Sequence, residues 1–247
     1  MSWEGRLPAY SKHVEDPTTD SHYLRRFGMQ RVVLELAGDC SELSVLDVGS
    51  GTGWVIDALQ PAYGAECDVV EPEHDISQRC FSVQDARDLQ YPSGTFDLVV
   101  ASMSLMWFAE LEEACASMRR VARKGGRLVV AIPHPFTYRR GSVRADGLMH
   151  ITEPYAPWVL PNLMIGGKVG PFTYYHRPLC HYVNALASSG WQIRQLREWS
   201  IDMDHYRAHV DETRVVIRRS GEPPLFAFFG CVAGDHVVAE VRDERET

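Results

Sequence analysis

An acid and three closely spaced glycines form the part of this chain best suited to binding chemistry. Asp47 stands two residues before Gly49, and glycines recur at positions 51 and 53. Glycine tolerates positive φ and, because it lacks a Cβ, lets a ligand approach the backbone closely. The apolar residues before this turn predict a buried strand, and those from Trp54 predict a helix whose first amides would face the ligand. The stretch therefore predicts a nucleotide-type binding turn between a strand and a helix.

The spacing of these glycines separates the turn from two common nucleotide-binding motifs. The dinucleotide fingerprint G-x-G-x-x-G requires a third glycine at the position where this chain has Trp54. The P-loop requires a Gly-Lys-Ser/Thr sequence, which does not follow this turn. A Rossmann dehydrogenase therefore ranks last among the candidate functions.

A second carboxylate follows the next predicted strand, in the run 66–72. Glu71 lies about 20 residues beyond the glycines, which is the spacing at which an acid can accept both ribose hydroxyls of a bound nucleoside. An acid at the end of a strand can otherwise be a solvated charge or a helix cap. Together with the glycine turn, its position favours ribose binding by Glu71.

Two histidines lie where a general base could act. His134 follows the predicted fifth strand, at the carboxyl edge of the sheet, and His176 precedes a predicted helix over 179–187. The unperturbed pKa of imidazole is close to neutral, which suits proton transfer. We predict His134 and His176 as candidate catalytic residues, with a structural hydrogen-bonding role as the alternative for each.

Three stretches carry a resemblance to a known family. They are the D-x-G-x-G-x-G pattern from Asp47 to Gly53, the turn and strand over 91–102 (YPSGTFDLVVAS) and the run 175–191 (YHRPLCHYVNALASSGW). They resemble the class I S-adenosylmethionine (SAM)-dependent methyltransferases, and most of all the small-molecule type 11 group. The resemblance implies an α/β, Rossmann-like fold with a seven-stranded, mostly parallel sheet that has an antiparallel edge strand. It also implies SAM as cofactor and S-adenosylhomocysteine as product.

The resemblance further implies one methyltransferase domain over 1–247. We expect an N-terminal cap segment over 1–38, a SAM-binding core over 39–135, a lid or substrate insertion over 136–175 and the C-terminal part of the core over 176–240. The insertion after the fifth strand shows no sustained period and is rich in aromatic residues. We therefore expect it to form an aromatic wall around an organic acceptor, with a small core of its own as the alternative.

Individual residues follow from the same resemblance. Asp85 would accept from the exocyclic amine of adenine, with an N-cap role as the alternative, and Tyr10 would contact the cofactor from the cap, with a surface position as the alternative. Ser102 stands where catechol-type enzymes carry a magnesium-ligating acid, so no metal is expected. The residues predicted to bind the cofactor are Tyr10, Asp47, Gly49, Ser50, Gly51, Gly53, Glu71, Pro72, Asp85, Ala86, Ser102 and Met103. The residues predicted to bind the substrate are Trp107, Tyr138, Tyr174 and Tyr175.

The composition of the whole chain excludes several classes of partner. The formal net charge of -8 over 247 residues argues against binding to nucleic-acid phosphates. No apolar run is long enough to span a membrane, and residues 1–10 lack the apolar core of a signal peptide. The six cysteines include no C-x-x-C pair, which suits free thiols in a reducing compartment. We expect a cytoplasmic protein, monomeric or homodimeric, whose partner is a small-molecule acceptor.

The leading hypothesis is SAM-dependent methyl transfer to an oxygen, nitrogen or carbon atom of a small organic acceptor, in natural-product or secondary metabolism. One alternative keeps the SAM pocket but changes the reaction, as a cyclase or another non-methylating SAM enzyme on the same fold. Another alternative is a non-catalytic SAM-binding subunit, although such a scaffold would not need an aromatic insertion.

Overall fold

The computed structural model describes residues 3, 5–72, 80–136, 141–143, 149–151, 154–165, 167, 169–202 and 225–234. The strands are β1 (Ser44–Val48), β2 (Tyr63–Asp68), β3 (Cys80–Val83), β4 (Phe96–Ser102), β5 (Ala122–Pro133), β6 (Gly141–Val143), β7 (Met149–Ile151), β8 (Trp158–Ile165), β9 (Val169–His176), β10 (Trp191–Trp199) and β11 (Phe226–Ala233). The α-helices are α1 (Leu7–Glu15), α2 (Asp20–Tyr23), α3 (Arg31–Ala37), α4 (Trp54–Leu59), α5 (Leu111–Val121) and α6 (Leu179–Ser188). A π-helical segment (Leu24–Gln30) joins α2 to α3, and single 3₁₀ turns cover Ala86–Asp88 and Leu105–Trp107.

A seven-stranded sheet forms the centre of the molecule, in the order β3-β2-β1-β4-β5-β11-β10. The pairs from β3 to β5 are all parallel, and β11 runs antiparallel to both β5 and β10. The antiparallel strand is therefore β11, the second strand from one end of the sheet, and β10 is the edge strand at that end. The predicted α/β fold with a mostly parallel sheet is confirmed.

Both faces of the sheet are buried, which explains the uniformly apolar sequence of the central strands. Successive side chains of a strand point to opposite faces. On β1, Val45 joins the core cluster shared with α3 and α4, whereas Leu46 joins the cluster shared with α5 and α6. Leu98 and Val99 on β4 divide between the two clusters in the same way. This sandwich of helices holds the carboxyl ends of β1, β2 and β4 at one edge.

The insertion after β5 is built differently from the loop that the sequence predicts. Its described residues form two antiparallel hairpins, β6–β7 and β8–β9. On β9, buried and partly exposed positions mostly alternate, a two-residue period that the many glycines, prolines and aromatics obscure in the sequence. Residues 73–79, between β2 and β3, lie outside the described residues. Within the described part of the chain, no helix is long and apolar enough to cross a membrane.

Candidate functional site

A cavity of about 440 Å³ opens at the carboxyl edge of the sheet. The last residues of three strands line it, namely Val48 of β1, Asp68 of β2 and Ser102 of β4. Open α/β sheets bind ligands at this edge, and the volume is in the range of small-molecule sites. The cap segment and the insertion close the other side, through residues of α1, the π-helical segment and β9.

The glycine turn forms the floor of this cavity. Gly49, Gly51 and Gly53 all have positive φ, at 72°, 55° and 70°. A Cβ on Gly49 would lie only 2.6 Å from the Cβ of Ser104, so this position requires glycine for space as well as for conformation. Gly49, Ser50 and Gly51 line the cavity, whereas Gly53 does not.

Three backbone amides of the turn donate to residues at the end of β2. Gly49 and Ser50 both donate to the carbonyl oxygen of Cys67, at 2.8 and 3.1 Å. Gly51 donates to Oδ2 of Asp68 at 3.0 Å. These amides therefore fasten the turn to the end of β2. Asp47 is buried behind the turn, 1% exposed, and does not line the cavity.

Asp68 occupies the strand-end position that the sequence assigned to Glu71. Because β2 ends at Asp68 rather than near residue 71, it is Asp68 that lines the cavity. Glu71 is exposed and Pro72 is buried, and neither is among the lining residues. Burial raises the pKa of the Asp68 carboxyl, against the opposing effect of backbone hydrogen bonds from Gly51 and Val69. The predicted acid at the end of β2 is present, three residues earlier than predicted.

An ion-paired cluster follows β3 at the same cavity. Asp85 caps the 3₁₀ turn by accepting from the amide of Arg87, at 2.9 Å, as its alternative role predicted. It also lines the cavity, next to the buried Ala86. The Arg87 guanidinium pairs with Asp85 at 2.5 Å and with Glu110 at 2.6 Å, and it holds the pKa of the Asp85 carboxyl below its usual range. Capping and a ligand contact are therefore compatible roles for Asp85.

Three consecutive residues at the end of β4 line the cavity, and the sequence analysis names two of them. Ser102 donates its hydroxyl to the Sδ of Met29 at 3.0 Å. Met103 has a φ of 59°, which is unusual for a residue with a side chain and concentrates at binding sites. Ser104, which the prediction omitted, is 4% exposed, and its Oγ has no hydrogen-bond partner among the described residues.

Aromatic side chains form the opposite side of the cavity. Of the predicted residues, Tyr10, Trp107 and Tyr175 line it, joined by Phe172. Tyr174 is 2% exposed and packs behind the cavity, with its ring 6.0 Å from that of Trp107. Tyr138 lies outside the described residues. Trp3 also lines the cavity, although no pattern in the first residues of the sequence pointed to it.

Arg25 is a cationic lining residue that the sequence analysis missed. It projects from the π-helical segment and donates to the Thr52 hydroxyl of the glycine turn. Burial lowers the pKa of this guanidinium, and the neighbouring Tyr10 and Glu15 oppose the shift. An arginine remains charged even so. No motif marks Arg25 in the sequence, because its position depends on how the cap folds back over the turn.

His134 does not reach the cavity, which corrects its prediction as a catalytic base. The ring is buried, and the amide of Phe136 donates to its Nδ1 at 3.2 Å. The proton of the neutral ring is then on Nε2, which donates to the carboxylate of Glu198 at 2.7 Å. Both nitrogens are engaged, so His134 fastens the end of β5 to β10.

His176 is corrected for the same reason. It is 1% exposed, with Nδ1 3.0 Å from the carbonyl oxygen of Ala156 and Nε2 2.8 Å from that of Pro135. A ring N–H donates to one or other of these carbonyl oxygens, and both nitrogens face backbone groups rather than the cavity. The ring lies 4.6 Å from that of Trp158, at 7° to it. His176 therefore ties the insertion to the end of β5.

Neither a metal centre nor a reactive thiol emerges from the described residues. Among them, no three His, Cys, Asp or Glu side chains come together in a way that could hold a metal ion. Burial raises the pKa of the cavity-lining Cys67 thiol, and Asp47 and Asp68 add to the shift, which keeps Cys67 neutral. The absence of a metal from the reaction remains a prediction.

Similarity to known proteins agrees with this geometry. A family profile described as a methyltransferase domain matches residues 46–130. A demethylmenaquinone methyltransferase of Thermus thermophilus is 33% identical over 161 residues, which cover 59% of this chain and 70% of that protein. A highly reducing polyketide synthase of Phaeosphaeria nodorum is 26% identical over 200 residues. These residues make up 70% of this chain but only 6% of the much longer synthase. Among solved structures, an S-adenosylmethionine-dependent methyltransferase from Mesorhizobium loti superposes with a TM-score of 0.66 at 18% identity, covering 82% of this chain and 96% of that one.

The sheet order and the glycine turn at its carboxyl edge define a Rossmann-like methyltransferase fold. The chain belongs to the class I SAM-dependent methyltransferases, in the type 11 group. SAM is the cofactor of this family.

Proposed function

We propose that the protein transfers the methyl group of SAM to an oxygen, nitrogen or carbon atom of a small organic acceptor, in natural-product or secondary metabolism. The observation that carries the proposal is the division of one cavity into two unlike halves. The glycine turn, Asp68 and Asp85 lie at or just after the ends of β1, β2 and β3 and form one half, and Trp107, which follows the neighbouring β4, packs with Trp3 and other aromatic side chains in the other. A nucleoside and an organic acceptor require such different surroundings.

Two further observations support the fit of the cofactor to the first half. The Ser104 hydroxyl is buried at the cavity without a hydrogen-bond partner among the described residues, and a bound polar group would remove the cost of that burial. A Cβ on Gly51, which also lines the cavity, would meet nothing within 4 Å, so a ligand can approach the backbone there closely. In this proposal Asp68 accepts from the ribose hydroxyls, Asp85 from the adenine amine, and Arg25 faces the carboxylate of the methionine end.

The chemistry that the cofactor supplies when bound is a methyl group already activated by a sulfonium. The protein then has to orient the acceptor and exclude water. No histidine is among the described lining residues. Orientation by the aromatic half is therefore the main contribution of the chain, and an acceptor atom with an available lone pair requires no general base.

The experiment that tests the proposal follows the nucleoside product. The protein is incubated with SAM and a small-molecule cell extract, and the products are identified by mass spectrometry beside a no-enzyme control and the Asp68→Asn variant. S-adenosylhomocysteine above both controls supports methyl transfer. Methylthioadenosine would favour a cyclase-type reaction that uses the amino-acid part of SAM, and tight SAM binding without any product would favour a non-catalytic subunit.

A further inference from the structure

Three aromatic rings on one side of the cavity form a single mutually packed cluster. Trp3 comes from the cap segment, Trp107 from the turn after β4 and Phe172 from β9. The ring centroids of Trp3 and Phe172 are 4.2 Å apart, those of Trp3 and Trp107 5.5 Å, and those of Trp107 and Phe172 5.6 Å. Each ring therefore contacts both others, and all three line the cavity.

The two arginines that line the cavity are bonded to groups other than these three rings. Arg25 is bonded to Thr52 on the glycine turn, and Arg87 is held between two carboxylates after β3. In the described part of the chain, no charged side chain makes a hydrogen bond or ion pair with the three rings. The indole N–H of Trp107 already donates to the carbonyl oxygen of Met103, at 3.0 Å. The cluster thus contributes apolar ring surface to the cavity, mainly from Trp3 and Trp107 because Phe172 is 2% exposed, with little left to bind a charge.

We propose that the aromatic cluster binds the methyl acceptor, and that this acceptor is a flat, uncharged aromatic ring system; the inference rests on the proposed methyl transfer. Aromatic rings attract one another in offset and edge-to-face arrangements, beyond the effect of apolar area alone. An anionic acyl or sugar acceptor would lose its hydration at this surface without gaining a countercharge. The acceptor class follows from the cluster and not from the cofactor half.

The test compares two probes with the same bicyclic skeleton and one hydroxyl group, 2-naphthol and its saturated counterpart 2-decalol. Each is titrated into the protein saturated with S-adenosylhomocysteine, and binding is measured by calorimetry. The saturated probe is at least as apolar, so burial of apolar area alone would favour it or leave the two equal. We expect 2-naphthol to bind about tenfold more tightly, because only a flat ring can stack.

Variants locate the preference at the cluster. Trp3→Leu and Trp107→Leu remove one ring each while keeping an apolar side chain, and Trp3→Phe keeps a ring. Trp158→Leu is the matched control, since Trp158 lies on the insertion but does not line the cavity. We expect the preference for 2-naphthol to fall to about twofold in both cluster leucine variants and to persist in Trp3→Phe and Trp158→Leu.

Binding of S-adenosylhomocysteine checks that each variant is folded. A leucine variant that fails this check is replaced by Trp107→Phe. This variant keeps a ring and should retain most of the preference for 2-naphthol over 2-decalol. Equal binding of the two probes to the wild type, or an unchanged preference in both leucine variants, would overturn the inference. If S-adenosylhomocysteine does not bind the wild type at all, the proposed function fails instead. The probe pair can still be titrated into the cofactor-free protein, so the two failures remain distinguishable.

Discussion

Replacing Asp68 by asparagine should separate cofactor binding from folding. In the structure its carboxylate accepts from the amide of Gly51 at 3.0 Å and from that of Val69 at 2.7 Å, and it keeps lone pairs for the ribose hydroxyls. A hydrogen bond to a charged group contributes about 1.5–3 kcal/mol, and about 1.4 kcal/mol is a tenfold change in Kd. We therefore expect Asp68→Asn to raise the Kd for S-adenosylhomocysteine about 10–100-fold.

The same substitution should change how the stability of the fold depends on pH. Burial raises the pKa of Asp68 above its value in the unfolded chain, so the folded state keeps this proton to a higher pH than the unfolded state. The free energy of unfolding therefore falls as the pH rises from about 4, the pKa of Asp68 in the unfolded chain, to its raised pKa in the folded state. Asparagine cannot ionise, so the variant lacks this loss of stability. Its side-chain nitrogen cannot accept a hydrogen bond, so one of the two backbone donors, Gly51 or Val69, loses its acceptor at a cost of about 1–3 kcal/mol. The variant should therefore be less stable than the wild type at pH 4, and the difference should shrink by pH 7.

Isothermal titration calorimetry with S-adenosylhomocysteine gives the affinity, and thermal unfolding at pH 4 and pH 7 gives the stability. Glu71→Gln is the matched control, because Glu71 is exposed and does not line the cavity. Its Kd should stay within about twofold of the wild type. A large loss of affinity in Glu71→Gln together with normal binding by Asp68→Asn would refute the reasoning and favour the assignment made from sequence spacing.

Three further outcomes are expected. Gly49→Ala should lower the free energy of unfolding by about 2–5 kcal/mol, because of the Ser104 contact and the positive φ. Gly51→Ala should lower it by only about 1–2 kcal/mol, because a Cβ there meets nothing within 4 Å. Denaturant unfolding measures both values, and equal losses would contradict the packing argument. Ser104→Ala should keep or raise the melting temperature but weaken S-adenosylhomocysteine binding by about 2–10-fold, since the hydroxyl lacks a protein partner; unchanged affinity in calorimetry would remove its ligand role. His134→Ala and His176→Ala should each lose about 1–3 kcal/mol of stability while the folded enzyme keeps kcat, and a collapse of kcat without loss of stability would restore a catalytic role.

The sheet and its binding turn could be predicted from the sequence because their signals are local. Glycines with positive φ and an apolar strand before them leave few alternative structures, and the resemblance extends over most of the strands. The strand-end acid was predicted in kind but not in position. Counting along the chain assigned Glu71, whereas the strand pairing ends β2 at Asp68.

The rest of the site depends on contacts between distant segments. His134 and His176 were correctly expected near the carboxyl edge, but position in the chain does not reveal where a ring points, and both point into the structure. Trp3, Arg25 and Ser104 have no periodic or motif signal. They reach the cavity only because the cap segment folds over the sheet and because the turn after β4 approaches Gly49.

The cap segment contributes to both halves of the cavity from one short stretch of chain. Trp3 belongs to the proposed acceptor surface and Arg25 to the cofactor half, with Tyr10 between them in sequence and 5.4 Å from the Trp3 ring. We expect a ligand bound in either half to stabilise this stretch for the ligand in the other. Such sharing implies positive cooperativity between cofactor and acceptor, and linkage requires it to be reciprocal. Each ligand should tighten the binding of the other by the same factor, so the segment that covers the site would also couple its two occupants.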